Sequence, residues 1–385
     1  KMIYFNNAAT TYPKPESVYQ DVDSFFRNEG VNPGRSQGVK TMNINRRIFN
    51  TREKIAQFFG IKDSSRFIFT SGATESLNLA IKGFLKKGDH VISTKLEHNS
   101  VIRPLNKLQK EGRITVTFID FNKKGFIEIE SLKQAVKDDT SLIILSHASN
   151  VLGTVNDIAE ISHFAKENNI KILIDAAQTA GVLDINLNNL EIDMMSVPGH
   201  KSLFGPPGIG GLYISENIEL DTLMEGGTGS NSLNTYQPEL MPDKFESGTL
   251  NTLGIIGLGA GIDFINKTGQ AEIYQHELNL LDKFIEGLRN IKGILMYGTT
   301  NLDKKVGVVS INLMDLSANR FAHLLQNEYN ISVRGGLHCA PLLHKAMQTD
   351  QKGMVRFSFS YFNTLQETNE ALNVIETIAK KEGSR

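Results

Sequence analysis

Cysteine is almost missing from this 385-residue sequence, and Cys339 is the only one. A single cysteine forms no internal disulfide and builds no cysteine-rich zinc or iron–sulfur site within one chain. Excess charge is missing too. The 41 basic and 42 acidic residues leave a formal net charge of -1, which argues against nucleic acid or an acidic membrane surface as a partner. No apolar run is long enough to cross a bilayer, and no basic start leads into the apolar centre of a signal peptide, so the cytosol is the expected compartment. Low-complexity tracts, charge blocks and internal repeats are absent as well. The rest is ordinary for a globular protein: 40% hydrophobic, 22% charged, and long enough for two domains with a substantial core.

The first half alternates apolar runs with amphipathic patterns. Arg66–Thr70, His90–Thr94, Thr115–Ile119, Leu142–Ser146 and Lys171–Asp175 read as buried strands, followed by one at Asp193–Val197. Helical patterns fall at Glu75–Leu85, Val101–Glu111, Ser131–Lys137 and Asp157–Asn168. This order predicts an α/β fold with a mostly parallel central sheet and helices on both faces. Beyond Gly254 the texture changes to long helices (Gly254–Asn266, Ile273–Asn290), a strand over Lys305–Leu313, a helix at Asn319–Gln326, a strand at Met354–Phe359 and a helix at Gln366–Lys380. That mixture predicts a smaller α+β C-terminal domain. The expected division is a large domain over 15–254 and a small one made of 1–14 and 255–385, with the boundary near Thr252–Gly257.

Ligands in such sheets gather at the carboxyl ends of strands. Ser71-Gly72-Ala73-Thr74-Glu75 follows one strand and opens a helix, so the backbone at Ala73 and Thr74 suits an anion, although a plain capping box fits the same residues. Asp175 ends another strand, where an acid is costly to bury without a cation or strong donor; capping of the next helix is the plainer reading. Lys201, in Pro198-Gly199-His200-Lys201, lies between a strand and the glycine-rich Gly205–Gly211, an odd place for a solubilising charge and a suitable one for a Schiff-base amine. His98 follows a third strand end. A nicotinamide-type reading of Gly257-Leu258-Gly259-Ala260-Gly261 fails, because those glycines lie inside a helical pattern.

Taken together, Ser71–Glu75, Glu97–His98, Ser146–Gly153, Asp175–Gln178 and Gly199–Lys201 resemble fold-type I pyridoxal-phosphate enzymes in order and separation. With Tyr4–Thr11 and Phe245–Asn251 they resemble the class V aminotransferase family, in its cysteine desulfurase and selenocysteine lyase branch, SufS-like in its cysteine loop. The resemblance implies pyridoxal 5'-phosphate held covalently by Lys201, with Asp175 on the ring nitrogen, Gln178 on the ring hydroxyl and His98 stacked on the ring. It implies phosphate ligands at Thr74 and His200. Thr249 would reach the phosphate of a neighbouring subunit, which implies a homodimer with shared sites. Relatives often carry serine where Pro198 stands, and proline has neither a hydroxyl nor a backbone donor; Ser196, Thr228 or another donor is expected to compensate.

Cys339 sits in the turn-rich Arg334-Gly335-Gly336-Leu337-His338-Cys339-Ala340-Pro341. The resemblance makes it a nucleophile for the substrate sulfur, with His338 or Arg334 as a nearby cation. Arg356, between apolar strand residues, matches the clamp for the substrate carboxylate, and Asn150 is expected beside ring and substrate. The expected reaction converts L-cysteine to L-alanine and leaves a persulfide on Cys339 for a sulfur-carrier protein or a small thiol. Selenocysteine is the rival substrate. An aminotransferase or another carbon–sulfur lyase would not use Cys339, and a non-catalytic scaffold is disfavoured by the intact set. His344 is read as a loop residue.

Overall fold

The computed structural model describes residues 2–34, 38–230, 233–314 and 316–382. The chain begins with a two-residue strand, β1 (Ile3–Tyr4). A seven-stranded sheet follows, built from β2 (Phe67–Thr70), β3 (His90–Thr94), β4 (Thr115–Ile119), β5 (Thr140–Ser146), β6 (Lys171–Asp175), β7 (Met194–Pro198) and β8 (Gly210–Ile214), in the order β2-β8-β7-β6-β5-β3-β4. The run β7-β6-β5-β3-β4 is parallel, and β8 is antiparallel to both its neighbours. The strands read as apolar runs because both faces of the sheet are covered. Ile143, Leu145, Ile172 and Ile174 enter one apolar cluster, while Leu142, Ile144 and Leu173 enter the cluster on the opposite face.

β8 lies in a stretch read from sequence as a glycine-rich turn. The glycines are there for close approach. A Cβ on Gly211 would lie 2.0 Å from the Phe67 ring and 2.9 Å from the Ile68 carbonyl oxygen, so only glycine lets β8 pair with β2 there. The structure adds two N-terminal helices, Glu16–Asn28 and Val39–Phe59. Helix Thr252–Thr268 packs on both and contributes Ile255, Ile256, Leu258, Ile262 and Ile265 to the large-sheet cluster, so that cluster runs on past Gly254. A Cβ on Gly261 would meet the Leu203 carbonyl oxygen at 2.1 Å; the glycine-rich stretch is a packing surface inside a helix.

A second sheet is built from β9 (Ile294–Tyr297), β10 (Val308–Leu313), β12 (Arg334–Gly336) and β13 (Met354–Ser358); β11 (Ile331–Ser332) precedes β12 and pairs with β1 in parallel. Its order is β12-β13-β10-β9, antiparallel throughout. Phe5, Phe284, Phe321, Phe357 and Phe359 fill its core with helices Gln270–Arg289, Ala318–Tyr329 and Leu365–Glu382. Among the described residues no helix is long and apolar enough to cross a membrane.

One buried ion pair ties Phe245–Thr249 to the sheet edge. Arg52 grips Glu246 through two hydrogen bonds of 2.7 and 2.8 Å, and Glu246 also accepts the Phe69 backbone N–H at 2.7 Å. Both side chains are buried. Removing one partner strands a buried charge. Arg52→Met is expected to destabilise the fold by about 3–5 kcal/mol, and Arg52→Met/Glu246→Leu to recover most of that loss, in urea titrations.

Candidate active site

A cavity of about 330 Å³ opens at the carboxyl ends of the parallel strands and is closed from the other side by the second sheet. The chain passes from β4 back across β3 to β5, so the segments after β3 and β5 meet at a switch point. They bring His98, Ser146, Ala148 and Asn150 to the cavity. Helix Ala73–Phe84 begins there with Ala73 and Thr74 in the wall, and helix Asn99–Lys110 begins beside it. His98 caps the second helix: its Nδ1 accepts the Ser100 backbone N–H at 3.1 Å. Ser100 Oγ lies 2.8 Å from Thr74 Oγ1, so hydroxyls from two helix N-termini meet at one wall.

Asp175, at the end of β6, is buried, and its Oδ1 accepts the Ala177 N–H at 2.9 Å. Burial pushes its carboxyl up, against the pull of Lys201 and that hydrogen bond. Gln178 lines the cavity beside it and donates from Nε2 to the Ala8 carbonyl at 3.2 Å. The Lys201 amine makes no hydrogen bond or ion pair among the described residues; burial brings it down to about 8, partly offset by Asp175 and reinforced by Arg356 and Arg334. Burial also lowers His98 and His200 to about 4, with Lys201 adding to both, so each ring is neutral at pH 7. Thr10 Oγ1, Thr11 Oγ1 and Lys14 Nζ all donate to the His200 carbonyl, and Thr11 Oγ1 also to that of Lys201.

The second sheet supplies the other wall. Arg334 on β12 and Arg356 on β13 are direct antiparallel partners, so their side chains leave on one face. Arg356 is 1% exposed and donates to the Asn150 carbonyl at 2.9 Å and to Asn6 Oδ1 at 3.2 Å, while its Nε has no partner among the described residues. Burial, then Arg334, lowers it to about 9. Arg334 Nη2 lies 3.3 Å from Cys339 Sγ. Asn150 Nδ2 donates to the His338 carbonyl at 2.8 Å and joins the cysteine loop to the same cavity. The chemistry on offer is a desolvated amine, a buried carboxylate, an anion-holding wall of helix N-termini and hydroxyls, and two guanidinium groups, one of them touching a thiol.

The aminotransferase class-V family model matches residues 3–370. The chain belongs to that family. It is 33% identical to a probable cysteine desulfurase of Methanothermobacter thermautotrophicus, over 97% of this chain and 94% of the relative. It is 34% identical to another from Pyrococcus abyssi, over 99% and 95%. Its fold superposes on an apo cysteine desulfurase of Thermococcus onnurineus with a TM-score of 0.93, at 32% identity, covering 99% of this chain and 95% of that one.

Within this class V chain, Ala73, Thr74, His98, Asn150, Asp175, Gln178, His200, Lys201, Arg334 and Arg356 all line one cavity. Cys339 stands at its rim through Arg334, outside the lining itself. Thr249 lies elsewhere, in a separate cavity with Thr228, Gly248 and Arg52. Of the donors expected to offset Pro198, Ser196 Oγ is turned to the Ala73 carbonyl at 3.3 Å and Thr228 belongs to the other cavity, whereas Ser100 faces this one. Sequence reading missed Ser100, the Thr10-Thr11-Lys14 brace and Glu97. Glu97 is fully buried, with Thr94 Oγ1 at 2.5 Å, Ser146 N at 3.1 Å and Ser146 Oγ at 2.7 Å. Its place beside His98 was the one available signal.

Burial first, and Asp175 in the same direction, push Glu97 up to about 7, against three hydrogen bonds that lower it. Between the unfolded value of 4.5 and 7 the folded protein keeps a proton that the unfolded chain has lost, so this group costs stability as pH rises through that window. Glu97→Gln should therefore gain on the wild type by about 3 kcal/mol between pH 4 and pH 8 in urea titrations of the cofactor-free protein. A difference that stays flat with pH would rule out a protonated Glu97.

Proposed function

We propose that the protein is a pyridoxal-phosphate-dependent cysteine desulfurase that leaves the sulfur of L-cysteine as a persulfide on Cys339. The observation that carries this reading is the placement of the chain's only thiol, 3.3 Å from the guanidinium of Arg334, which itself lines the Lys201 cavity. Family membership and relatives called cysteine desulfurases support it.

The donor set fits the cofactor. The N-terminus of helix Ala73–Phe84, with Thr74, Ser100 and His200, would hold the phosphate, and Ser100 would supply a hydroxyl where Pro198 has none. His98 would cover one face of the ring, Gln178 would meet its hydroxyl, and the Asp175 carboxylate would keep a proton on its nitrogen. When bound, pyridoxal phosphate supplies an electron sink conjugated to the substrate's α-carbon.

Lys201 would anchor the group and, as a free amine, would take the substrate's α-proton on Nζ; its lowered pKa keeps a usable share of neutral amine near pH 7. The unpartnered Nε of Arg356 turns to the substrate carboxylate. Asn150 holds both Arg356 and the cysteine loop, so the carboxylate clamp and the thiol keep a fixed relation. The Cys339 thiolate attacks the substrate sulfur: an S–S bond forms, the C–S bond breaks, and its electron pair stays on carbon, which gains a proton to give L-alanine. The persulfide then passes to a carrier protein or small thiol. A second copy of the chain supplies Thr249 to this site, making the working unit a homodimer.

The test is turnover of L-cysteine by protein reconstituted with pyridoxal phosphate. Lys201→Ala should lose the visible absorbance of the bound cofactor. Cys339→Ala should keep that absorbance and its change on adding L-cysteine while forming no persulfide. Arg356→Gln should raise the KM for L-cysteine by about 30-fold or more, the loss expected for a buried charge-assisted contact. L-alanine release by Cys339→Ala at the wild-type rate would sink the protein-persulfide route in favour of a selenocysteine lyase or another carbon–sulfur lyase.

A further inference from the structure

Behind Cys339 runs a chain of buried polar side chains that the reaction above does not use. His338 Nε2 is 3.0 Å from the Arg334 carbonyl oxygen, His338 Nδ1 is 3.3 Å from His344 Nε2, and His344 Nδ1 is 2.9 Å from Thr349 Oγ1. The two imidazoles stack at 5.5 Å and 24°, and all three side chains are buried. The direction of the chain follows from its end. A carbonyl only accepts, so His338 carries its proton on Nε2 and its bare Nδ1 must receive one. His344 therefore donates from Nε2, and its own bare Nδ1 takes the Thr349 hydroxyl. Burial keeps both rings neutral at pH 7.

The loop that this chain supports needs holding. His338 and Cys339 are two successive non-glycine residues in the left-handed region, at φ 50° and 57°, a conformation that persists only where surroundings enforce it. Their carbonyls are pinned, His338 by Asn150 Nδ2 at 2.8 Å and Cys339 by the Asn99 N–H at 2.7 Å. The His338 ring closes the loop onto the backbone of Arg334, whose guanidinium touches Cys339 Sγ.

We propose that His344 is a positioning residue for Cys339: by donating to His338 it fixes one tautomer of that ring, and with it the turn that carries the thiol beside Arg334 at the cavity rim. The inference rests on the reading of Cys339 as the sulfur-accepting nucleophile. Neither histidine lines the cavity, so the effect is expected on the thiol step alone.

Four variants of the reconstituted enzyme test it. His344→Phe removes the donor, and His344→Gln keeps one at the same reach. Thr349→Val lets His344 take the other tautomer, and Thr349→Ser restores the hydroxyl. His344→Phe should cut both kcat and the rate of Cys339 alkylation by iodoacetamide about 10-fold or more, the effect of one buried hydrogen bond left unmade. KM and the absorbance change on adding L-cysteine should stay within about twofold. Thr349→Val should move the same two readouts in the same direction, with His344→Gln and Thr349→Ser recovering most of each loss. If His344→Phe does not fold, the Thr349 pair decides on the same measurements. The proposal is overturned if kcat and alkylation hold in Thr349→Val, or if cofactor response and KM fall along with them. A wild-type protein that ignores L-cysteine would sink the desulfurase reading, and alkylation would still decide the role of His344.

Discussion

Asp175 is buried and Lys201 half-buried with a desolvated amine; the two share one cavity and form no ion pair with each other, and the rest of the architecture answers to that. Two such groups left facing hydrocarbon would cost more than a domain of this size can absorb. Helix N-termini, hydroxyls and backbone donors on one side, with two guanidinium groups on the other, give the cavity the polar lining that a charged ring and phosphate would complete. A site assembled this way is costly when empty and is stabilised by whatever fills it, so cofactor binding and stability are linked by mass action.

Residues 2–14 make the two sheets act on one cavity. Phe5 donates its N–H to Ser332, and Asn7 Nδ2 reaches the Ser358 carbonyl, so this segment belongs to the second sheet. A few residues later Thr10, Thr11 and Lys14 brace the backbone of His200 and Lys201, which belongs to the first. Between them Asn6 Oδ1 accepts from Arg356. One short segment therefore sets the spacing between the desolvated amine and the buried guanidinium, the two groups that would address the same amino acid in the proposed reaction. Thr10 and Thr11 look expendable in sequence because neither has chemistry of its own.

What could be read from sequence was what local physics dictates. Apolar runs located β2, β3 and β5 to β7 because strands covered on both faces have no polar side to disguise them, and residues at or just after their carboxyl ends proved to line the cavity. What escaped depended on partners far away in the chain. Gly210 and Gly211 read as a turn because their reason for being glycine is the approach of Phe67 and Gly72. Glu97 was a neighbour of His98 until Ser146, about fifty positions later, closed around it. His344 read as a loop residue because the carbonyl that orders its protons belongs to Arg334. Pairing of this kind leaves no periodic trace in one sequence, so a buried hydrogen-bond chain can look like scattered polar residues.

The pairing of β12 with β13 decides how an amino acid could be handled here. Arg334 and Arg356 face each other across the ladder, and directly opposed residues in an antiparallel pair sit about 4.5–5.5 Å apart at their Cα atoms. In L-cysteine the carboxylate and the sulfur hang from adjacent carbons, so a clamp for one and a thiol poised for the other must also be neighbours. The register gives that spacing without a loop having to find it: Arg356 keeps an unpartnered Nε for an anion, and Arg334 keeps its contact with Cys339. A slip of one residue would send Arg356 to the opposite face, and a slip of two would separate it from Arg334 and the thiol that Arg334 touches. Val355 and Phe357 on either side of Arg356, both buried in the second sheet's core, forbid the first slip, because exchanging them with an arginine would bury the charge in hydrocarbon. The apolar alternation of one strand thereby fixes the distance over which the proposed chemistry runs.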